Sequence, residues 1–128
     1  SMRPRIKVIA VEPANADDAA QSFRAGRRIV TKKKFTIADG LRTNVGEPNF
    51  AIIQRYVDDI VTVSEEAIVS AMRTIWETMK IVVEPSAAVP YAAIAERVID
   101  VNGKRVGIIL TGGNVDLDAL PWTCSRDQ

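Results

Sequence analysis

IKVIAVEPANADDAAQSFRAG, residues 6–26, decides the fold. Its first six residues, Ile6–Val11, are a nearly unbroken apolar run rich in branched side chains, the pattern of a strand buried on both faces. ADDAAQSFRAG then carries acids in its first turn and Gly26 at its end, both helix signals. A doubly buried strand feeding a helix opens a parallel βα unit, and the chain repeats that alternation. EPNFAIIQRYV reads as a helix with Pro48 near its start and with Ile52, Ile53, Tyr56 and Val57 on one face. Ile60–Val63 reads as a short strand. Ser64 caps a helix with Glu65 and Glu66 in its first turn, and Ile68, Met72, Ile75 and Met79 form a core stripe along it. Pro85 suits the start of a further helix, and Pro90 lies where it bends or restarts that helix. VGIIL, Val106–Leu110, reads as the last strand. The expectation is an α/β architecture: an open, mostly parallel sheet with right-handed crossovers, flanked by helices.

No repeat, low-complexity stretch or linker divides the 128 residues, so they read as one domain, residues 1–128. A chain of this size buries about two-thirds of its unfolded surface. Seventeen basic residues against sixteen acidic ones leave a net charge of +1, which supplies no field for nucleic acid or an anionic membrane. No apolar run reaches membrane-spanning length, and no signal peptide is visible. The one cysteine, Cys124, forms no internal disulfide, and with no histidine in the chain nothing activates it as a nucleophile. These features predict a cytoplasmic protein. Ser1-Met2 reads as a scar of expression. Lys32-Lys33-Lys34 reads either as a solvated loop or as a phosphate contact.

Three unusual motifs fall at strand ends, where open parallel sheets bind ligands. VEPANADD follows the first strand, VEPSAA follows the apolar run before Pro85, and TGGNVD follows the last strand. In TGGN, Gly112 and Gly113 permit close backbone approach, and Thr111 offers a hydroxyl that donates or accepts. The same pattern also describes an ordinary loop.

The segments IKVIAVEPANADDAAQS, TIADGLRT, DDIVTVSEEAI, MKIVVEPSAA and GIILTGGNVDLDALPW resemble the serine/threonine dehydratase and serine racemase family of fold-type II pyridoxal-phosphate enzymes. The resemblance runs from about Pro4 to Trp122, with five motifs in the family's order. It implies the C-terminal half of a large, tryptophan-synthase-β-like cofactor domain. The family's cofactor-anchoring lysine, substrate-carboxylate loop and phosphate loop belong upstream and are not among these residues. The implied activity of the parent is dehydration of L-serine or L-threonine to a 2-oxo acid and ammonia, with serine racemisation as a companion activity. The alternative is that this chain alone is a folded, non-catalytic module.

The resemblance also implies roles residue by residue. Thr111 matches the family's hydroxyl beside the pyridine nitrogen. A hydroxyl does not hold a proton there as a carboxylate would, which suits an elimination in which the leaving group departs early. Gly40, Glu84 and Gly112 match positions around the cofactor ring. Asp39 and Thr43 match the substrate end. Glu12, the Ala16 carbonyl and Asp18 match a divalent-cation site, and oxygen ligands of this kind suit Mg, Mn or Ca. Read without the resemblance, Glu12, Asp18 and Glu84 are helix-start acids. Lys80 and Asn114 match two positions of a nucleotide-effector site at a homodimer interface. Apart from the resemblance they are a helix-end lysine and a turn asparagine. The sequence departs from the family at Ala87, where glycine is usual, and at Pro90 and Tyr91. The end soon after Trp122, without a long regulatory extension, implies the catabolic or racemase-like branch. An apolar face left uncovered by the absent half predicts self-association.

Overall fold

A computed structural model describes residues 6–32 and 35–123. Ser1-Met2, Lys33, Lys34 and Cys124 lie outside the described residues. In order, the elements are β1 (Ile9–Pro13), a 3-10 turn (Ala14–Ala16), α1 (Asp18–Ala25), a second 3-10 turn (Asp39–Leu41), α2 (Glu47–Tyr56), β2 (Asp59–Val63), α3 (Glu65–Met79) and α4 (Pro85–Ala95). β1 and β2 pair in parallel, in register from Ile9 opposite Asp59 to Pro13 opposite Val63. The architecture is therefore α/β with a small parallel sheet between helices.

Local chemistry sets the helix ends. α1 stops where Gly26 takes the left-handed conformation (φ 65°) and its N–H bonds to the Phe23 carbonyl. The Ser64 hydroxyl accepts the Ala67 N–H at 3.1 Å and so caps α3, whose first turn carries Glu65 and Glu66. α4 begins at Pro85, where the missing N–H costs nothing. Pro90 neither restarts nor ends α4, which runs through it to Ala95. Losing one ladder bond there is offset by packing, because Ala87, Ala88, Val89, Ala92 and Ala93 are all buried.

Those small side chains let α4 lie close against α3. Ile68, Ala71, Met72 and Ile75 of α3 join them, with Val63 and Val83, in the main core. Full burial of Ile68 or Met72 contributes about 1.5–3 kcal/mol each. A smaller cluster of Ala19, Ala20 and Ile60 joins α1 to β2.

Four sequence expectations need correction. The first strand begins three residues later than Ile6, because pairing starts where Asp59 offers a partner. Met79 leaves the predicted stripe and is exposed, since α3 overruns the core by a turn. The predicted face of α2 holds only in part: Ile53 and Val57 pack against the smaller cluster and Phe50 is buried, whereas Ile52 and Tyr56 are exposed. Val106–Leu110 forms no strand, and none of its backbone groups joins a ladder among the described residues.

Candidate functional site

The segments around Gly40, Glu84 and Gly112 come together at the start of α4. Glu84 is its N-cap residue, and the helix dipole favours a carboxylate there. The Glu84 N–H donates to the Gly112 carbonyl at 3.0 Å. The Glu84 Oε2 accepts the Asn114 N–H at 2.9 Å. One glutamate therefore grips the TGGN loop at two points. Both glycines are required by this approach. A Cβ on Gly112 would stand 2.7 Å from the Glu84 carboxyl carbon, and one on Gly113 would stand 2.8 Å from the Val82 carbonyl oxygen. Neither glycine has a positive φ, so crowding selects them rather than backbone conformation.

Gly40 joins the same edge. Its N–H points to the Asp39 Oδ1 at 2.8 Å and to the Ser86 Oγ at 3.2 Å. Ser86, in the first turn of α4, is a member of this cluster that the sequence reading missed. Its signal was its place two residues after Glu84. Thr111 is exposed at the entrance to the loop. Asp39 lines a cleft of about 470 Å³ together with Arg42, Asn114, Asp116 and Leu120. Thr43 is exposed. The groups on this edge, the Thr111 and Ser86 hydroxyls and the accepting Glu84 carboxylate beside bare glycine backbone, fit the rim of a flat heteroaromatic ring.

The tail that carries the loop is anchored by Trp76, a second omission of the sequence reading. Its Nε1 donates to the Val83 carbonyl at 2.9 Å. Its ring meets Trp122 edge to face at 5.4 Å between centroids.

Glu12 and Asp18, at the end of β1 and the start of α1, form a separate cluster. Glu12 lies on β1, and its Oε2 accepts the Ala20 N–H at 2.8 Å. Asp18 is buried, and its Oδ2 accepts the Val45 N–H at 2.7 Å. Burial pushes the Glu12 carboxyl up to about 7, and the neighbouring charges of Asp18 and Asp17 add to this. Hydrogen bonds from Ala20 and Ala19 oppose the rise. Glu12 and Asp18 lie near enough for their charges to interact, and Ala16 stands between them in the chain. No group of three or more histidine, cysteine or acidic side chains able to hold a metal occurs among the described residues. A set of two carboxylates and one carbonyl falls below that number, and its chemistry fits a hard cation.

Lys80 and Asn114 are engaged separately. Lys80 ends α3 in the left-handed conformation, and its Nζ turns back to the Glu77 carbonyl at 2.6 Å. Asn114 is held through its backbone by Glu84.

Comparison with known proteins bears on this arrangement. A family described as "Pyridoxal-phosphate dependent enzyme" matches residues 1–112. The chain is 47% identical over 122 residues to a β-hydroxyaspartate dehydratase of Paracoccus denitrificans, covering 95% of this chain and 39% of that protein. It is 44% identical to a serine racemase of Arabidopsis thaliana, covering 94% of this chain and 38% of that protein. The solved structure of maize serine racemase superposes with a TM-score of 0.85 at 41% identity, over 95% of this chain and 38% of that one. The chain thus spans about two-fifths of the length of the relatives it matches. No helix among the described residues is long and apolar enough to cross a membrane.

Proposed function

The chain belongs to the pyridoxal-phosphate dependent enzyme family, and from that premise we propose that it forms the ring-facing wall of a dehydratase for 3-hydroxy amino acids. The reaction eliminates water from L-serine, L-threonine or a 3-hydroxyaspartate, and hydrolysis of the resulting imine takes that water back, so the net products are a 2-oxo acid and ammonia. The observation that carries the reading is the convergence of Gly40, Glu84 and Gly112 on one edge at the start of α4. When bound, pyridoxal phosphate supplies the electron sink for breaking the bond between Cα and its hydrogen.

The roles proposed for this chain's own residues follow from their positions. Thr111 presents a neutral hydroxyl to the pyridine nitrogen and adds no charge that would keep it protonated. Gly40 and Gly112 let backbone approach the ring, and Glu84 fixes the loop that carries Thr111. Asp39 and Thr43 stand at the substrate end. Glu12, the Ala16 carbonyl and Asp18 hold a divalent cation (Mg, Mn or Ca) away from the ring. Lys80 and Asn114 touch a nucleotide effector. The parent works in the cytoplasm as a homodimer, and this chain by itself turns over no substrate.

The relatives named serine racemase favour a second reading of the same site. There a proton returns to Cα on the opposite face and the hydroxyl is retained. Thr111→Asp in the complete enzyme tests the placement that both readings share. A carboxylate at this position should change the visible absorption of the bound cofactor and move the ratio of 2-oxo acid to D-amino acid. An unchanged spectrum together with an unchanged ratio removes Thr111 from the ring nitrogen.

A further inference from the structure

The geometry points to Asn102–Gly103 as a site of spontaneous covalent modification, in which Asn102 deamidates to aspartate or isoaspartate. This inference stands whichever reaction the site at α4 performs. Three conditions favour such chemistry: a side-chain amide in water, a following backbone N–H free to attack it, and no side chain on the following residue to block the approach.

The turn at residues 101–104 meets all three. Asn102 is exposed. A Cβ at Gly103 would find no heavy atom within 4 Å, so the attacking nitrogen is open on that side. The turn closes through the Lys104 N–H, which donates to the Val101 carbonyl at 3.0 Å. That bond leaves the Gly103 N–H without a partner among the described residues. Gly103 sits at φ 66°, where glycine is strongly preferred, so the turn itself selects the most reactive neighbour an asparagine can have.

The other asparagines are protected. Asn44 has its side chain tied to Thr31, its Oδ1 accepting the Thr31 N–H at 3.0 Å and its Nδ2 donating to the Thr31 carbonyl at 3.2 Å. The nitrogen that would attack it, on Val45, is donated to Asp18. The nitrogen after Asn49, on Phe50, is donated to the Gly46 carbonyl at 2.9 Å. Asn15 and Asn114 are followed by Ala16 and Val115, whose side chains crowd the approach.

The step balances without any partner but water. The Gly103 nitrogen loses its proton and bonds to Cγ of Asn102. The bond from Cγ to Nδ2 breaks, and ammonia leaves. Water then opens the five-membered ring at either carbonyl, giving aspartate or isoaspartate. The new carboxylate lies two residues from Asp100, whose Oδ1 accepts the Asn102 N–H at 3.0 Å. Isoaspartate also lengthens the backbone inside the ring closed by Val101 and Lys104. That change strains the turn leading into residues 106–110 and on to Thr111.

The test is peptide mapping of the complete enzyme after incubation in mildly alkaline and in acidic buffer. In alkali, the peptide holding residues 102–103 should gain the mass difference between an amide and an acid. It should also accept methyl groups from S-adenosylmethionine through isoaspartyl methyltransferase. Asn102→Gln, on an exposed side chain, should abolish both signals and leave the fold intact. The proposal is overturned if this peptide stays unchanged in the folded enzyme, or if the peptide holding Asn44 changes first.

Discussion

The α3–α4 pair and the run from Val98 to Thr123 touch each other but are held by different physics. The helices bury alanines, Ile68, Met72 and Ile75 against one another, so their position follows from area and close packing. The run has no regular element; Leu110, Val115, Leu120 and Trp122 pack partly buried against that core, and a few specific contacts seat the TGGN loop. These are the bonds of Glu84 to Gly112 and Asn114 and the edge-to-face contact of Trp76 with Trp122. The rigid pair provides the platform and the tethered run provides the chemistry, so damage to each should read out differently.

The largest expected effect is in the platform. Ile68 is fully buried between α3 and α4. Ile68→Ala should cost about 2–5 kcal/mol in urea denaturation, through lost transfer energy and a residual cavity. A cost under ~1 kcal/mol would mean that the helices repack freely, and the contrast between platform and tether would fail.

Gly112→Ala attacks the tether. Its new Cβ would meet the Glu84 carboxyl at 2.7 Å, and Glu84 cannot swing aside without releasing Asn114. Overpacking of this kind costs about 1–3 kcal/mol. In the complete enzyme, cofactor affinity should fall more than stability does. Adding Glu84→Ala removes the clash, so the double variant should be more stable than the sum of the single costs predicts. Strict additivity would show that the loop is not seated on Glu84.

This contrast also explains what was legible in the sequence. α1, α3 and α4 could be read because their signals are local: Gly26 after α1, Ser64 before α3, Pro85 opening α4. The parallel pairing of β1 with β2 followed from apolar runs separated by helices. Val106–Leu110 was misread because a strand is a property of two segments, and its apolar composition says nothing about whether an edge is available. On α2, Ile53 and Val57 pack inward as the stripe predicts, but Ile52 and Tyr56 do not, since periodicity marks an apolar stripe and not how much of it is covered. At the site, the motifs containing Gly40, Glu84 and Gly112 were legible as motifs. Ser86 and Trp76 were not, because their importance lies in contacts 46 and 7 residues away along the chain.

The acids Glu12 and Asp18 allow a third, smaller test, because they belong to the platform side and Glu12 responds to pH. Glu12 holds its proton more tightly when folded, at about 7 against an ordinary 4.5. A group raised in this way stabilises the fold fully below its ordinary value, and that contribution is lost as pH rises through 7. The full difference would be about 3 kcal/mol, but screening of a partly exposed carboxyl reduces it to about 1–2 kcal/mol. Glu12→Gln should flatten the fall in stability between about pH 5 and 8. A divalent cation bound by Glu12 and Asp18 favours the ionised form, so millimolar calcium or magnesium should raise the melting temperature more at pH 8 than at pH 5. A hundredfold excess over the dissociation constant stabilises by about 2.7 kcal/mol. An equal or absent effect at both pH values would detach the cation from these two acids.

The smallest expected effect closes the comparison with the same chemical change in the other region. Ile109 lies in the tethered run and is 77% exposed, whereas Ile68 is fully buried. Ile109→Ala removes the same atoms as Ile68→Ala, but most of them already face water, so the cost should stay within about 0.5 kcal/mol. The measurement is most informative as a concentration series. Val106 and Leu117 of the same run are also exposed, and apolar surface of this kind drives association when it is contiguous. If Ile109→Ala costs nothing in dilute solution but lowers the melting temperature at high concentration, a second molecule covers the run. Sizing chromatography should then show a larger species that the substitution shifts toward monomer. If the cost approaches that of Ile68→Ala at every concentration, the run is packed within the single chain, and the distinction between platform and tether is wrong.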